Sequence, residues 1–246
     1  MFKHQGKNRT SKHNLRLAIL LSFVAGIVNV TGVLAVKTLT TNVTGHFAFF
    51  AEEVTKHDYQ EAIIFLIYTL FFLAGAFTSN FLAELVSEKK QHLSHLPAIV
   101  IEIIILITLG LFGNQPNFYL LGGKWIAFGL LFAMGIQNAL VTKISRSTVR
   151  TTHLTGLFTD LGIELSQLFF YKKTEERKAL KTSIYLRLSI ITFFFLGCFC
   201  GGFIYGYLAL KTLFIAAAFL LIALYYDQIR LNFIAIKRKK STILKI

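Results

Sequence analysis

The sequence predicts an all-α integral membrane fold: six transmembrane helices arranged as two inverted three-helix repeats, each with a short Thr-Gly half-helix. Three observations predict it: long apolar runs, a one-sided distribution of Lys and Arg, and an internal duplication whose unit holds an odd number of runs.

The apolar runs come first. Hydrophobic residues make up 54% of the 246, Phe alone accounts for 25, and Pro occurs only twice. Soluble domains are about 45–50% apolar even with Gly counted, and runs this long leave little polar surface for one. The runs are Leu17–Val36, Ala62–Leu85, Ala98–Phe112, Trp125–Val141, Ile184–Leu210 and Leu213–Leu231. A spanning helix needs about 20 residues. The first run reaches that length, past the roughly 7–15 of a cleavable signal core, so it reads as a retained span. The third is shorter; it follows Pro97, a good first-turn residue, and either extends into its flanks or sits in thinned bilayer. Tyr119 and Trp125 belong near an interface.

Charge then orients the runs. With the N-terminus inside, only Lys37, Lys56, Lys124 and Lys211 fall outside, leaving 22 of the 26 Lys and Arg on the inner side. That asymmetry is the positive-inside pattern. It places both basic termini in the cytoplasm and the chain in the cell (inner) membrane as a multi-pass protein. The net charge of +14 is accounted for in this way, and no nucleic-acid-binding motif accompanies it, so the expected partner is the lipid bilayer and not nucleic acid. Cys198 and Cys200 lie inside an apolar run, at a spacing that points them to different helix faces, and read as small packing residues.

The duplication sets the architecture. Ala25-Gly26-Ile27-Val28-Asn29-Val30 recurs as Met134-Gly135-Ile136-Gln137-Asn138-Ala139, and Thr41-Asn42-Val43-Thr44-Gly45-His46-Phe47 recurs as Thr152-His153-Leu154-Thr155-Gly156-Leu157-Phe158. The offsets are 109 (135 − 26) and 111 (156 − 45), and a weaker match pairs Gly75 with Gly197. The chain is thus a single membrane domain over 1–246, with repeat one at about 15–112 and repeat two at about 123–231. Three spans per unit turn the second copy upside down. Inverted repeats of this kind are typical of secondary transporters, whose sites lie near the midplane at the repeat interface; some channels share them.

The segments Leu21–Gly32, Asn-Val-Thr-Gly at 42–45, Gly-Ile-Gln-Asn-Ala-Leu-Val at 135–141 and Arg-Thr-Thr-His-Leu-Thr-Gly-Leu-Phe-Thr-Asp-Leu-Gly at 150–162 resemble the YoaK family, uncharacterised bacterial multi-pass inner-membrane proteins. The resemblance covers roughly residues 15–230. It departs at Asn29, where the family usually has Asp, and at His46, where it has Asn. It implies membrane location and names no substrate.

The chemistry resides in the repeated segments. Helical spacing puts Thr152, Gly156, Asp160 and Glu164 on one face, and Thr41, Gly45, Phe49 and Glu53 on another. As re-entrant half-helices these segments would aim N–H groups at an anionic or polar solute; as surface helices their Gly and Thr would only pack. Asn29 and Asn138 serve either as interhelical glue or as part of a central polar site. The substrate-binding set is accordingly Asn29, Thr41, Thr44, Gly45, Asn138, Thr152, Thr155, Gly156 and Asp160. Glu102, the lone acid in the third run, is a proton-coupling candidate. Gly197, Gly201, Gly202 and Gly206 permit close helix contact, with another span or with a second subunit as a homo-oligomer.

No nucleotide-binding, zinc-protease or nucleophile-elbow motif occurs, so no enzyme, cofactor or metal is expected. The leading expectation is a small-solute transporter or permease with its site at the repeat interface. The alternative is a non-transporting scaffold, sensor or assembly protein with a partner on the basic 143–187 segment.

Overall fold

A computed structural model describes residues 2, 10–113, 115 and 123–226. Tyr119, the last residues of the sixth apolar run (227–231) and the outermost basic residues (Lys3, Lys7, Arg9 and those from Arg230 onward) lie outside the described residues.

The described chain is helical, without strands. The helices are α1 (Ser11–Val36), α2 (Val43–Thr55), α3 (Tyr59–Lys90), α4 (Leu96–Phe112), α5 (Lys124–Ser145), α6 (Leu154–Phe170) and α7 (Thr174–Leu208). A 3-10 turn, Ala209–Thr212, leads into α8, residues 213–226. Local chemistry sets the ends. Thr10 and His13 close a capping box at the start of α1, and Asp58 caps α3 through the Glu61 amide at 3.1 Å. Pro97 falls in the first turn of α4, where its missing N–H costs nothing.

Four helical stretches are long and apolar enough to cross a membrane: Ser11–Val36, Tyr59–Glu88, Lys124–Ser145 and Thr174–Tyr226; Leu96–Phe112 is a shorter apolar helix. The last stretch folds back on itself. Ala209 takes a positive φ of 47°, and beyond it the direction reverses. α7 runs parallel to α1, with Ser11 and Leu15 beside Thr182 and Leu186 at one end and Gly201 against Ile27 and Val30 further along. α8 runs antiparallel to α1, with Phe219 on Phe23 (ring centroids 5.1 Å) and Tyr226 beside Arg16.

A second parallel pair is α3 with α5. Glu61 meets Lys124 at 2.7 Å near their starts, Phe71 stacks on Phe128 midway, and Glu84 meets Lys143 at 2.8 Å near their ends. The two pairs are joined head to tail, because α5 is antiparallel to α1. Gln137 Nε2 donates to the Leu21 carbonyl at 2.7 Å, while Leu130 lies against Gly32 and Val36 against Gly123.

Both parallel pairs cross on glycines, and the crossings match residue for residue. A Cβ on Gly26 would overlap the Phe194 carbonyl oxygen and approach Cys198 N; on Gly135 it would overlap the Phe72 carbonyl and approach Ala76 N. Likewise Gly197 meets the Phe23 carbonyl and Gly75 that of Phe132. The steps agree: 132 − 23 and 135 − 26 give 109, while 194 − 72 and 197 − 75 give 122. Even the helix ends correspond. α1 stops at Lys37 (φ 56°) and α5 at Arg146 (φ 52°), both left-handed and again 109 apart.

The surface is aromatic and apolar. Phe77, Phe195 and Phe203 are each more than 60% exposed, which a water-facing surface does not favour and a lipid-facing one does. Exposed Tyr59, Trp125 and Tyr207 mark one end of the bundle and Tyr185, Tyr225 and Tyr226 the other. From Tyr185 to Tyr207 is 22 residues, about 33 Å at the helical rise, close to the thickness of a hydrocarbon core.

The helices outrun the apolar runs at their polar ends. α7 begins at Thr174, ten residues before Ile184, so the basic stretch after α5 holds the first turns of α7 as well as the Thr-Gly helix α6. Hydropathy marks the part of a helix that faces apolar surroundings, not the polar turns that project beyond it.

Candidate functional site

Each Gly-x-x-Asn helix is followed by a segment that folds back along it. After α1 ends, Thr40 N and Thr41 Oγ1 both donate to Asn29 Oδ1 at 3.1 Å. After α5 ends, Thr152 Oγ1 donates to Asn138 Oδ1 at 2.6 Å. Asn29 is seven residues before Val36 and Asn138 seven before Ser145. The returning chain therefore reaches about 10 Å back from the helix end in both places before a new helix begins. α2 then packs antiparallel on α3, and α6 on α7.

The two half-helices differ at their starts. Asn42 caps α2 by accepting from Gly45 N at 3.0 Å. The corresponding position at α6 is His153, which makes no side-chain cap, so the first-turn N–H groups there lack a side-chain acceptor. Those groups border a cleft of about 480 Å³ lined in part by Arg150, His153, Asp160 and Arg187. Arg187 holds the floor of this region. Its guanidinium pairs with Asp160 at 2.9 Å and reaches Glu164 through Nε and Nη2 at 2.9 and 3.0 Å, and Ser183 donates to Glu164 at 2.6 Å. Asp160 is thus an ion-pair partner facing the cleft.

Of the sequence-derived set, the structure brings Asn29 to Thr41 and Asn138 to Thr152. Thr44 and Thr155 are exposed on their half-helices. Gly45 lies against Asn42, and Gly156 against His153. The two Thr-Gly turns sit on opposite sides of the bundle's middle. The Leu21–Gln137 and Gly32–Leu130 contacts set Asn29 and Asn138 about seven residues, or 10 Å, apart along α1. Glu102 lies within α4 and is fully buried. Gly197 and Gly201 face α1 within the same chain, while a Cβ on Gly206 would meet nothing within 4 Å. Among the described residues no three His, Cys, Asp or Glu side chains converge as metal ligands would.

Arg187 and Gln137 were not singled out by sequence, and His46 drew notice only as a departure from the family pattern. Arg187 reads there only as one more inner-side charge. His46 is 1% exposed, donates through Nε2 to Leu39 O at 2.8 Å and packs against Phe65 and Tyr68. Burial holds its imidazole below its ordinary pKa, against the opposing effect of that backbone hydrogen bond. Gln137 stood in the duplicated motif without drawing notice, because its partner in the first copy is Val28.

Membrane-length apolar helices with aromatic-rich exposed surfaces point to a membrane protein of the all-helical class. The chain belongs to the DUF1275 family, whose description is "Protein of unknown function"; the match runs over residues 17–226, covering every described helix but the first turns of α1. No curated protein and no solved structure matches the chain.

Proposed function

We propose that the chain is a YoaK-like inner-membrane transporter or permease for a small polar solute, built as two inverted three-span repeats. The observation that carries the reading is the matched pair of glycine crossings in a bundle whose first and fourth apolar helices, α1 and α5, run antiparallel. Equivalent contacts on antiparallel helices are what an inverted duplication generates. In this reading α1, α3, α4, α5, α7 and α8 each cross the bilayer, with the termini and the Arg187 end cytoplasmic. The two Asn–Thr turns then open toward opposite sides. Solute reaches the α6 turn from the cytoplasm, where uncapped N–H groups beside Arg150 and Arg187 favour an anionic or acceptor-bearing group.

The test is flux in proteoliposomes with glycerol, urea, acetate, phosphate and chloride as probes. The reading expects saturable flux of at least one probe, lost when Gly156 is replaced by Leu. One observation favours a scaffold or sensor instead: the Asn29 and Asn138 oxygens are already satisfied within their own halves. That reading expects no flux of any probe and a stoichiometric protein partner on the basic 143–187 segment.

A further inference from the structure

Three fully buried polar side chains lie at one level of the core. Ser22, Glu102 and Gln137 each have no exposed surface, and Ser22 Oγ, both Glu102 carboxyl oxygens and Gln137 Oε1 make no hydrogen bond to the described protein. Their level follows from the helix register. Gln137 Nε2 bonds the carbonyl of Leu21, the residue before Ser22. α3 and α5 are parallel, and α4 turns back after α3 across residues 91–95, so α4 is antiparallel to α5. Leu109 meets Gly129; seven residues back from Leu109 is Glu102, and seven on from Gly129 is Ile136, next to Gln137. α8 gives an independent check. Phe214 meets Gly110 and Phe219 meets Phe23, which sets Glu102 opposite Ile222 and Ser22 opposite Leu220, two residues or about 3 Å apart in height.

The fold does not require these polar groups. The 109-residue step puts Leu131 in the place of Ser22, and Val28 corresponds to Gln137; both are fully buried and apolar. The equivalent crossing packs without polarity. Four buried oxygens without protein partners are costly unless something hydrogen-bonds them, and an unpaired carboxylate costs far more.

Among the described side chains, no fixed charge stands ready to pair Glu102. On α3 and α5, Glu61 and Glu84 are taken by Lys124 and Lys143 at the two ends, and Tyr68 lies against Phe128. Glu88 and Lys90 at the end of α3, Lys211 in the 3-10 turn, Tyr225 and Tyr226 on α8 and Arg16 on α1 are exposed. His95, two turns before Glu102, stacks on Phe2 at the start of α4.

We infer that Ser22, Glu102 and Gln137 form a buried proton-binding site, with Glu102 carrying the proton and donating it to Gln137 Oε1 while the Ser22 hydroxyl donates to the other carboxyl oxygen. Proton uptake forms the carboxyl O–H from water at the basic end of the bundle, about six residues or 9 Å away at Arg16 and Lys143, and release returns it there. The site stands whether or not a solute crosses the protein.

Infrared spectroscopy of the full chain in phospholipid vesicles tests this at pH 7, with glutamate labelled by carbon-13 in its side-chain carboxyl. The expected result is a protonated-carboxyl C=O band that shifts with the label and is absent in the near-isosteric Glu102→Gln. The band also shifts in Gln137→Leu and Ser22→Ala and is unchanged when potassium is replaced by sodium. The inference is overturned by the absence of any Glu102-dependent acid band, or by a band indifferent to both neighbouring substitutions. Sodium-induced conversion to carboxylate overturns it in favour of a cation site.

Discussion

Gly26 of α1 lies against Gly197 of α7 so closely that a Cβ on either would overlap the backbone of the other helix. Close approach of this kind is available only to glycine, and it brings two carbonyl-bearing backbones together where lipid would otherwise separate the helices. Gly75 and Gly135 repeat the arrangement between α3 and α5.

Replacing any of these four by Ala forces the helices apart. Each of Gly26→Ala, Gly75→Ala, Gly135→Ala and Gly197→Ala is expected to destabilise the protein by about 1–3 kcal/mol, the cost of overpacking. Gly206→Ala, in open space, stays within about 0.5 kcal/mol. Thermal unfolding in detergent separates the two groups.

The Asn–Thr fasteners are separate devices, one per half. A double-mutant cycle on Asn138→Ala and Thr152→Val should give a coupling of about 0.5–1.5 kcal/mol, as one part-buried hydrogen bond does. A cycle on Asn138→Ala and Thr41→Val should give additive effects within about 0.5 kcal/mol, since the pair shares no contact.

Arg187 couples α7 to α6 through two carboxylates of unequal burial. Glu164 is 13% exposed and Asp160 50%. Removing the guanidinium strands Glu164, so Arg187→Ala should cost about 1–3 kcal/mol. Asp160→Ala should cost less than about 1 kcal/mol, as a half-exposed pair does. Arg187→Lys does not restore the two-pronged contact with Glu164. Chemical denaturation of the three variants, compared at equal salt, checks the ranking.

The crossing glycines, the duplicated Asn–Thr segments and the break between the last two apolar helices were all legible in the sequence, because each is a local pattern that repeats or interrupts an apolar run. The arrangement of Arg187 with Asp160 and Glu164 was not. It depends on how α6 folds back over α7, and nothing in a string of inner-side charges separates a pairing arginine from an orienting one. The Ser22–Glu102–Gln137 level was hidden for a similar reason. Glu102 stood out as a lone acid, but the residues at its level come from two other helices and are ordinary polar residues until their register is known.

His46 makes stability pH-dependent. Its folded-state pKa lies below the ordinary value of about 6.5, so the unfolded chain binds more protons than the fold as pH falls below that value. The contribution is fully present above about pH 6.5 and is lost as the pH drops through the lowered folded value. Melting temperatures from pH 8 to pH 5 should fall for the native chain and fall less for His46→Gln.

The central claim is that the two halves are inverted, so that the half-helix starts at Thr44 and Thr155, both exposed, face opposite sides of the membrane. The direct measurement is single-cysteine labelling with a membrane-impermeant maleimide in intact cells, in a background where Cys198 and Cys200 are replaced by Ala. Thr44→Cys should react from outside in intact cells, and Thr155→Cys only after the membrane is opened. Reaction of both positions from the same side would contradict the inverted arrangement and the transport reading built on it.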